Sequence, residues 1–119
     1  MTNEFTYAEK LMDELGYVDV MKARIMKHHS KLLFISDSGH GWIRVPKDML
    51  ERMSMKPSDF SSFSFHDERY VYLEEDCDAY KFKKRWDNIT VTPLEQIIED
   101  VDEQGRAECR NLPRIGDDI

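Results

Sequence analysis

The sequence predicts an α+β domain: an antiparallel sheet of three to four strands packed by N-terminal, central and C-terminal helices. Three observations carry this reading. The middle of the chain holds short apolar stretches of strand length, separated by polar and glycine-containing turns. Segments with apolar residues at helical spacing stand before, between and after them. The 119 residues make one domain, long enough to bury a core without disulfides or metals.

Along the chain, Thr6-Tyr7-Ala8-Glu9 fits a capping box, and Ala8, Leu11, Met12 and Leu15 place one apolar face on a first helix that Gly16 ends. Val18 to Lys27 reads as a strand, with Met21, Ala23 and Ile25 alternating with Lys22 and Arg24. His28 to Lys31 is a polar turn. Lys31 to Ser36 is a second strand, and because Leu32 to Ile35 is apolar on both faces it belongs inside the sheet. Asp37-Ser38-Gly39-His40-Gly41 is a turn whose glycines permit positive φ. Trp42 to Val45 is a third strand, completing an antiparallel meander.

Pro46 suits the first turn of a helix with Met49, Leu50 and Met53 buried. Lys56-Pro57-Ser58-Asp59 breaks it. Phe60, Phe63 and Phe65 read as core plugs under a Ser-rich connection, and Tyr70 to Leu73 as a fourth strand. Asp76 is placed to cap the next helix, which runs to about Trp86 with Ala79, Phe82 and Trp86 on one face. Acids crowd its start and bases its end, which complements the helix dipole. Thr92-Pro93-Leu94-Glu95 opens a last helix with Leu94, Ile97, Ile98 and Val101 as its apolar stripe. The single domain is expected over residues 1–105, followed by an acidic C-terminal tail over 106–119.

Composition excludes some classes. Hydrophobic residues are 40% and charged residues 34% of the chain, too apolar for disorder and too charged for a membrane protein. No apolar run approaches the roughly 20 residues of a spanning helix. Met1-Thr2-Asn3-Glu4 shows no basic, apolar leader, so a cytoplasmic protein is expected. Cys77 and Cys109 form no Cys-x-x-Cys pair and read as reduced thiols, the first buried and the second in the tail. The net charge of −7 disfavours a free-standing nucleic-acid binder. Residues 95–119 hold eight acids and three arginines, whereas Met21 to Ser36 is basic through Lys22, Arg24, Lys27 and Lys31.

Three constellations carry possible chemistry. In Ser38-Gly39-His40-Gly41 a histidine sits between glycines, exposed and free to act as base or ligand, or simply to face water in a hairpin turn. Glu74-Glu75-Asp76-Cys77-Asp78 gathers four carboxylates and a thiol at a strand-to-helix junction. It suits either a hard cation or a dipole-complementing helix start. Cys77 gains from the helix dipole and loses to its carboxylate neighbours, so it is not assigned as a nucleophile. His28 and His29 point to opposite faces of a strand, and His66-Asp67-Glu68 lacks the spacing of a zinc helix. No phosphate loop, nucleophile elbow or cysteine–histidine zinc spacing is present, and no cofactor is expected.

The segments Ser38-Gly39-His40-Gly41-Trp42-Ile43-Arg44 and Tyr72-Leu73-Glu74-Glu75-Asp76-Cys77-Asp78 resemble a family of small uncharacterised domains of proteobacteria, phages and plasmids. That family carries a Ser-His-Gly-Gly turn and a Tyr-Glu-Glu-Asp-Cys-Asp segment opening a helix. The resemblance covers roughly residues 20–86, with Gly39 inserted before His40, Trp42 where a glycine or aromatic falls, and Leu73 inserted before Glu74. It implies a phage- or plasmid-encoded cytoplasmic protein, and by analogy one that binds host or defence proteins.

The expectation is therefore a non-enzymatic protein-binding module, an inhibitor or adaptor of a host or defence complex. Its contact residues would be Glu74, Glu75, Asp76, Asp78, His40, Trp42, Lys22, Arg24 and Lys27. An alternative is a metal-assisted hydrolase in which His40, Glu75, Asp76 and His66 converge, which requires His40 and the Glu74–Asp78 acids to meet in a cleft. A second alternative is a nucleic-acid accessory protein using Lys22, Arg24, Lys27, His28 and Lys31, with Trp42 as a stacking face.

Overall fold

The computed structural model describes residues 32–117. The expected first helix with its Thr6 cap, the strand over Val18 to Lys27 and the basic residues Lys22, Arg24 and Lys27 lie outside the described residues. Within them the protein is α+β. Five strands, β1 (Leu32–Ser36), β2 (Gly41–Pro46), β3 (Phe65–His66), β4 (Tyr70–Glu74) and β5 (Ile98–Asp102), accompany two α-helices, α1 (Lys47–Arg52) and α2 (Asp78–Ile89).

The strands form one mixed sheet in the order β3-β4-β2-β1-β5. β1 pairs antiparallel with β2, β2 with β4 and β3 with β4, while β5 runs parallel to β1. The expectation of three to four antiparallel strands is corrected to a five-stranded mixed sheet; of the expected helices, the central one is present as α2 and the N-terminal one lies outside the described residues. Both sides of β1 are occupied, by β2 and β5, so β1 is interior as its apolar run suggested.

The last predicted helix is the largest correction. Leu94–Ile97 is a short 3-10 turn and Ile98–Asp102 is β5. The spacing of Leu94, Ile97, Ile98 and Val101 fits an apolar helical face, but a helix through them would stack Glu95, Glu99 and Glu103 at i, i+4 and i+8. Like charges at that spacing oppose helix formation. Pairing with β1 satisfies the backbone of β5 instead and leaves Glu99, Asp100 and Asp102 in solvent.

Alternation along the strands divides the core in two. Leu32, Ile43, Val45, Val71 and Leu73 join Met49 and Leu50 of α1, Met53 just after it, and Phe82 and Trp86 of α2 in the main core. Ile35, Trp42 and Phe65 face the other way and meet Ala107 and Cys109. Residues 106–117, expected as a tail, thus cover the second face of the sheet. A 3-10 turn at Glu108–Asn111 and the buried Ala107 and Cys109 hold them there, and Ile115 reaches the main core. The two cysteines exchange their expected roles: Cys77 is exposed and Cys109 is buried. Burial, with the Glu103 and Asp37 carboxylates nearby, pushes the Cys109 thiol up to about 12. Of the three phenylalanines, Phe60 and Phe65 are buried, but Phe63 is 65% exposed.

Candidate functional site

The turn between β1 and β2 is built around Asp37. Its Oδ1 accepts the backbone N–H groups of Gly39 and His40 at 2.9 and 3.0 Å. Its Oδ2 accepts the Ala107 N–H at 2.9 Å. Arg110 adds two further donors, Nε to Oδ2 at 2.7 Å and Nη2 to Oδ1 at 2.9 Å. The carboxylate is fully enclosed by these partners, and Arg110 above all holds it well below the usual carboxylate range. The turn needs no positive φ at Gly39 or Gly41, contrary to expectation; among the described glycines only Gly105 and Gly116 have one. Gly41 serves close approach instead. A Cβ there would lie 2.5 Å from Cζ of Phe34 and 3.0 Å from Oε2 of Glu75.

The second half of the site comes from the end of β4. Trp42 and Glu74 are register partners across β2 and β4. The Glu74 N–H donates to Oγ of Ser64 at 2.9 Å, and the Glu75 N–H to the Gly41 carbonyl at 2.9 Å. The Asp76 N–H donates to Oε2 of Glu74 at 2.9 Å. Asp76 therefore does not cap α2. Cys77 stands at the N-cap position and makes no side-chain cap bond. Burial pushes the Glu74 carboxyl above the usual range, with the Asp76 and Glu75 charges adding to the rise and His40 and the Asp76 N–H opposing it.

These two segments converge. Nδ1 of His40 lies 3.6 Å from Oε1 of Glu74. One ligand atom each from His40, Glu74, Glu75 and Asp76 lies within 4.8 Å of all the others. One imidazole nitrogen and three carboxylates form a donor set suited to a divalent cation of the manganese, magnesium or zinc kind. The condition set by the hydrolase alternative, that His40 meet the acids after β4, is met by Glu74, Glu75 and Asp76.

It is not met by Asp78 or His66. Asp78 is 2% exposed and turns inward, accepting the Ser61 N–H and both the Ser61 and Ser64 hydroxyls. It is structural, and its Ser64 bond in turn fixes the oxygen that receives Glu74 N–H. His66 is buried elsewhere, with Nδ1 3.4 Å from Nζ of Lys47 and Nε2 3.0 Å from the Asp117 carbonyl.

His40, Glu74, Asp76 and Cys77 line a pocket of about 360 Å³. Trp42, Phe63 and Phe65 provide its aromatic lining and Arg110 and Arg114 its basic lining. Trp42 is 2% exposed, which removes it as an open stacking face. Its buried Nε1 has no hydrogen-bond partner among the described residues, an uncommon situation for a core donor.

Sequence reading did not find Asp37, Arg110 or Arg114. The one available signal was three arginines interleaved with Ala107, Cys109, Leu112 and Ile115 in an otherwise acidic stretch. That pattern marks a packed segment rather than a solvated one. No helix among the described residues is long and apolar enough to cross a membrane. Compared with known proteins, the chain matches no family model, no curated protein and no solved structure.

Proposed function

We propose that the domain is a divalent-cation-dependent hydrolase of small substrates, with His40, Glu75 and Asp76 holding the cation. The observation that carries this reading is that one side-chain atom each of His40, Glu75, Asp76 and Glu74 lie within 4.8 Å of one another, from two segments more than thirty residues apart, beside a pocket of about 360 Å³ lined by His40, Glu74 and Asp76. A bound cation acidifies a coordinated water and so generates a nucleophile at neutral pH. Glu74, buried and with its carboxyl pushed above the usual range, is the group to accept the proton from that water. The test is manganese binding followed by electron paramagnetic resonance, with p-nitrophenyl esters as substrates. One bound Mn²⁺, lost in Asp76→Ala, and Mn²⁺-dependent ester cleavage are expected. A protein that binds no Mn²⁺ at millimolar concentration sinks the reading.

A second reading, a protein-binding module, draws support from a separate observation. Glu99, Asp100 and Asp102 stand exposed along β5, and no described strand pairs with its outer side. A row of carboxylates on a sheet margin suits a basic partner surface such as a host nucleic-acid-binding protein. Capture of such a partner from host lysate should be lost at high salt and in the double variant Glu99→Lys, Asp100→Lys. Capture insensitive to both counts against it.

A further inference from the structure

The remainder of the pocket lining is aromatic and basic. Arg110 lies over Trp42 with its guanidinium carbon 4.9 Å from the ring centroid. Arg114 lies over Phe65 at 5.1 Å. The rings of Trp42 and Phe65 are 6.2 Å apart. The two arginines differ in what neutralises them. Arg110 is paired with Asp37 through two hydrogen bonds. Arg114 donates Nη1 to the Ser62 carbonyl at 2.9 Å and has no carboxylate partner among the described residues. Its positive charge lines the same pocket as the His40 and Asp76 ligand atoms.

We infer that the pocket takes a phosphate monoester bearing a planar ring, of mononucleotide size. The inference rests on the cation reading above and adds the substrate class. A phosphate dianion has oxygens enough to meet a cation held by His40, Glu75 and Asp76 and, at the same time, the planar guanidinium of Arg114. A carboxylate ester offers no such charge. The planar ring is matched by the aromatic lining, where Phe63 is 65% exposed and so retains a free face for stacking. The pocket volume of about 360 Å³ lies in the range of small-molecule sites, and a net charge of −7 disfavours a polymeric nucleic acid. A cation held by His40, Glu75 and Asp76 would acidify a bound water; Glu74 takes the proton and releases it to solvent, and the water oxygen attacks phosphorus. The ester P–O bond breaks, and the ring-bearing alkoxide takes up a proton from solvent and leaves as the alcohol. Inorganic phosphate is the other product, and water is the only co-reactant.

The test is calorimetric titration of the full chain with MnCl₂, and then with adenosine 5′-monophosphate in the presence and absence of Mn²⁺. Ribose 5-phosphate and adenosine serve as the ringless and phosphate-free probes. The nucleotide should bind the Mn²⁺-loaded protein at least roughly tenfold more tightly than the Mn²⁺-free protein, and roughly tenfold more tightly than either partial probe. Mn²⁺-dependent release of inorganic phosphate should accompany it. Arg114→Gln should lose about tenfold in nucleotide affinity without weakening Mn²⁺ binding. Arg114→Lys, which keeps the charge, should fall between Arg114→Gln and the wild type, with circular dichroism confirming that both variants fold. Mn²⁺ binding with no effect on nucleotide affinity overturns the substrate class and leaves the cation reading standing. Absence of Mn²⁺ binding overturns both. Equal affinity of Arg114→Gln and wild type for the nucleotide also overturns the inference, as does equal binding of ribose 5-phosphate.

Discussion

Arg110 grips Asp37 across 73 positions of sequence, through Nε at 2.7 Å and Nη2 at 2.9 Å. The same carboxylate receives the N–H groups of Gly39, His40 and Ala107. One side chain therefore shapes the turn that presents His40 and anchors the segment that brings Arg110 and Arg114 to the pocket. Asp37 positions the site without being among its ligands.

Asp37→Asn keeps the shape of this node but removes its charge and faces an amide group toward donors. Mn²⁺ affinity should fall about tenfold although no ligand is changed, and the melting temperature should drop. The pH dependence follows from the direction of the shift. Asp37 is more acidic folded than unfolded, so its contribution to stability is complete above the unfolded carboxylate value and is lost as pH falls through the folded one. Acid unfolding followed by circular dichroism should show wild type losing stability below about pH 4, with Asp37→Asn flatter over that window. Parallel curves would contradict this account.

Glu74 behaves in the opposite sense. Its carboxyl is less acidic folded than unfolded, so its favourable contribution belongs to low pH and is lost as pH rises through the folded value. At neutral pH the buried charge opposes folding. Glu74→Gln should leave the metal-free protein as stable as wild type or more so, while abolishing hydrolysis and weakening Mn²⁺ binding. Wild-type Mn²⁺ affinity should begin to fall, on acidification, above the ordinary carboxylate range. A strongly destabilised Glu74→Gln apoprotein in thermal melts would refute this.

Asp78 separates structure from chemistry within one acidic motif. Its carboxylate accepts Ser61 and Ser64 donors in a site 2% exposed. Asp78→Ala strands these donors and should cost about 3 kcal/mol in urea denaturation, as expected for losing several hydrogen bonds to a buried charged group. Glu75→Ala, at an exposed position, should change stability by less than about 0.5 kcal/mol and act on Mn²⁺ affinity instead. Equal effects of the two on stability would erase the distinction.

Gly41→Ala tests close packing at the site. The added methyl collides with the Phe34 ring and meets the Glu75 carboxylate. Both the melting temperature and Mn²⁺ affinity should fall. Phe34→Leu, which withdraws the ring, should restore much of the stability in the double variant. If Gly41→Ala melts like wild type, the contact is not limiting.

Local pattern was a good guide where a segment is decided by its own residues. The buried edge of α1 at Met49 and Leu50 with Met53 at its end, the face of α2 at Ala79, Phe82 and Trp86, and the strand at Tyr70 to Leu73 are all legible. So is the pairing of interest between His40 and the acids after β4, because both segments stand out chemically. What escaped depends on distant partners. Val101 packs as strand because β1 offers it a parallel neighbour 66 positions earlier, and no window around Val101 contains that neighbour. Arg110 and Arg114 look like solvated charges until Asp37, Trp42 and Phe65 are brought beneath them. Adjacency in sequence groups Asp78 with the exposed acids and conceals that one turn of chain separates solvent from core.

The covering of the second sheet face by residues 106–117 has a bearing on how the protein comes into being. A ribosome delivers the His40 turn before the Glu74–Asp76 acids, and Arg110 and Arg114 after both. Until then the turn lacks the clamp on Asp37, and Trp42 and Phe65 lack the packing of Ala107 and Cys109. On the cation reading, a nascent chain interrupted at Gly105 would carry every proposed ligand but not the cover that residues 106–117 supply.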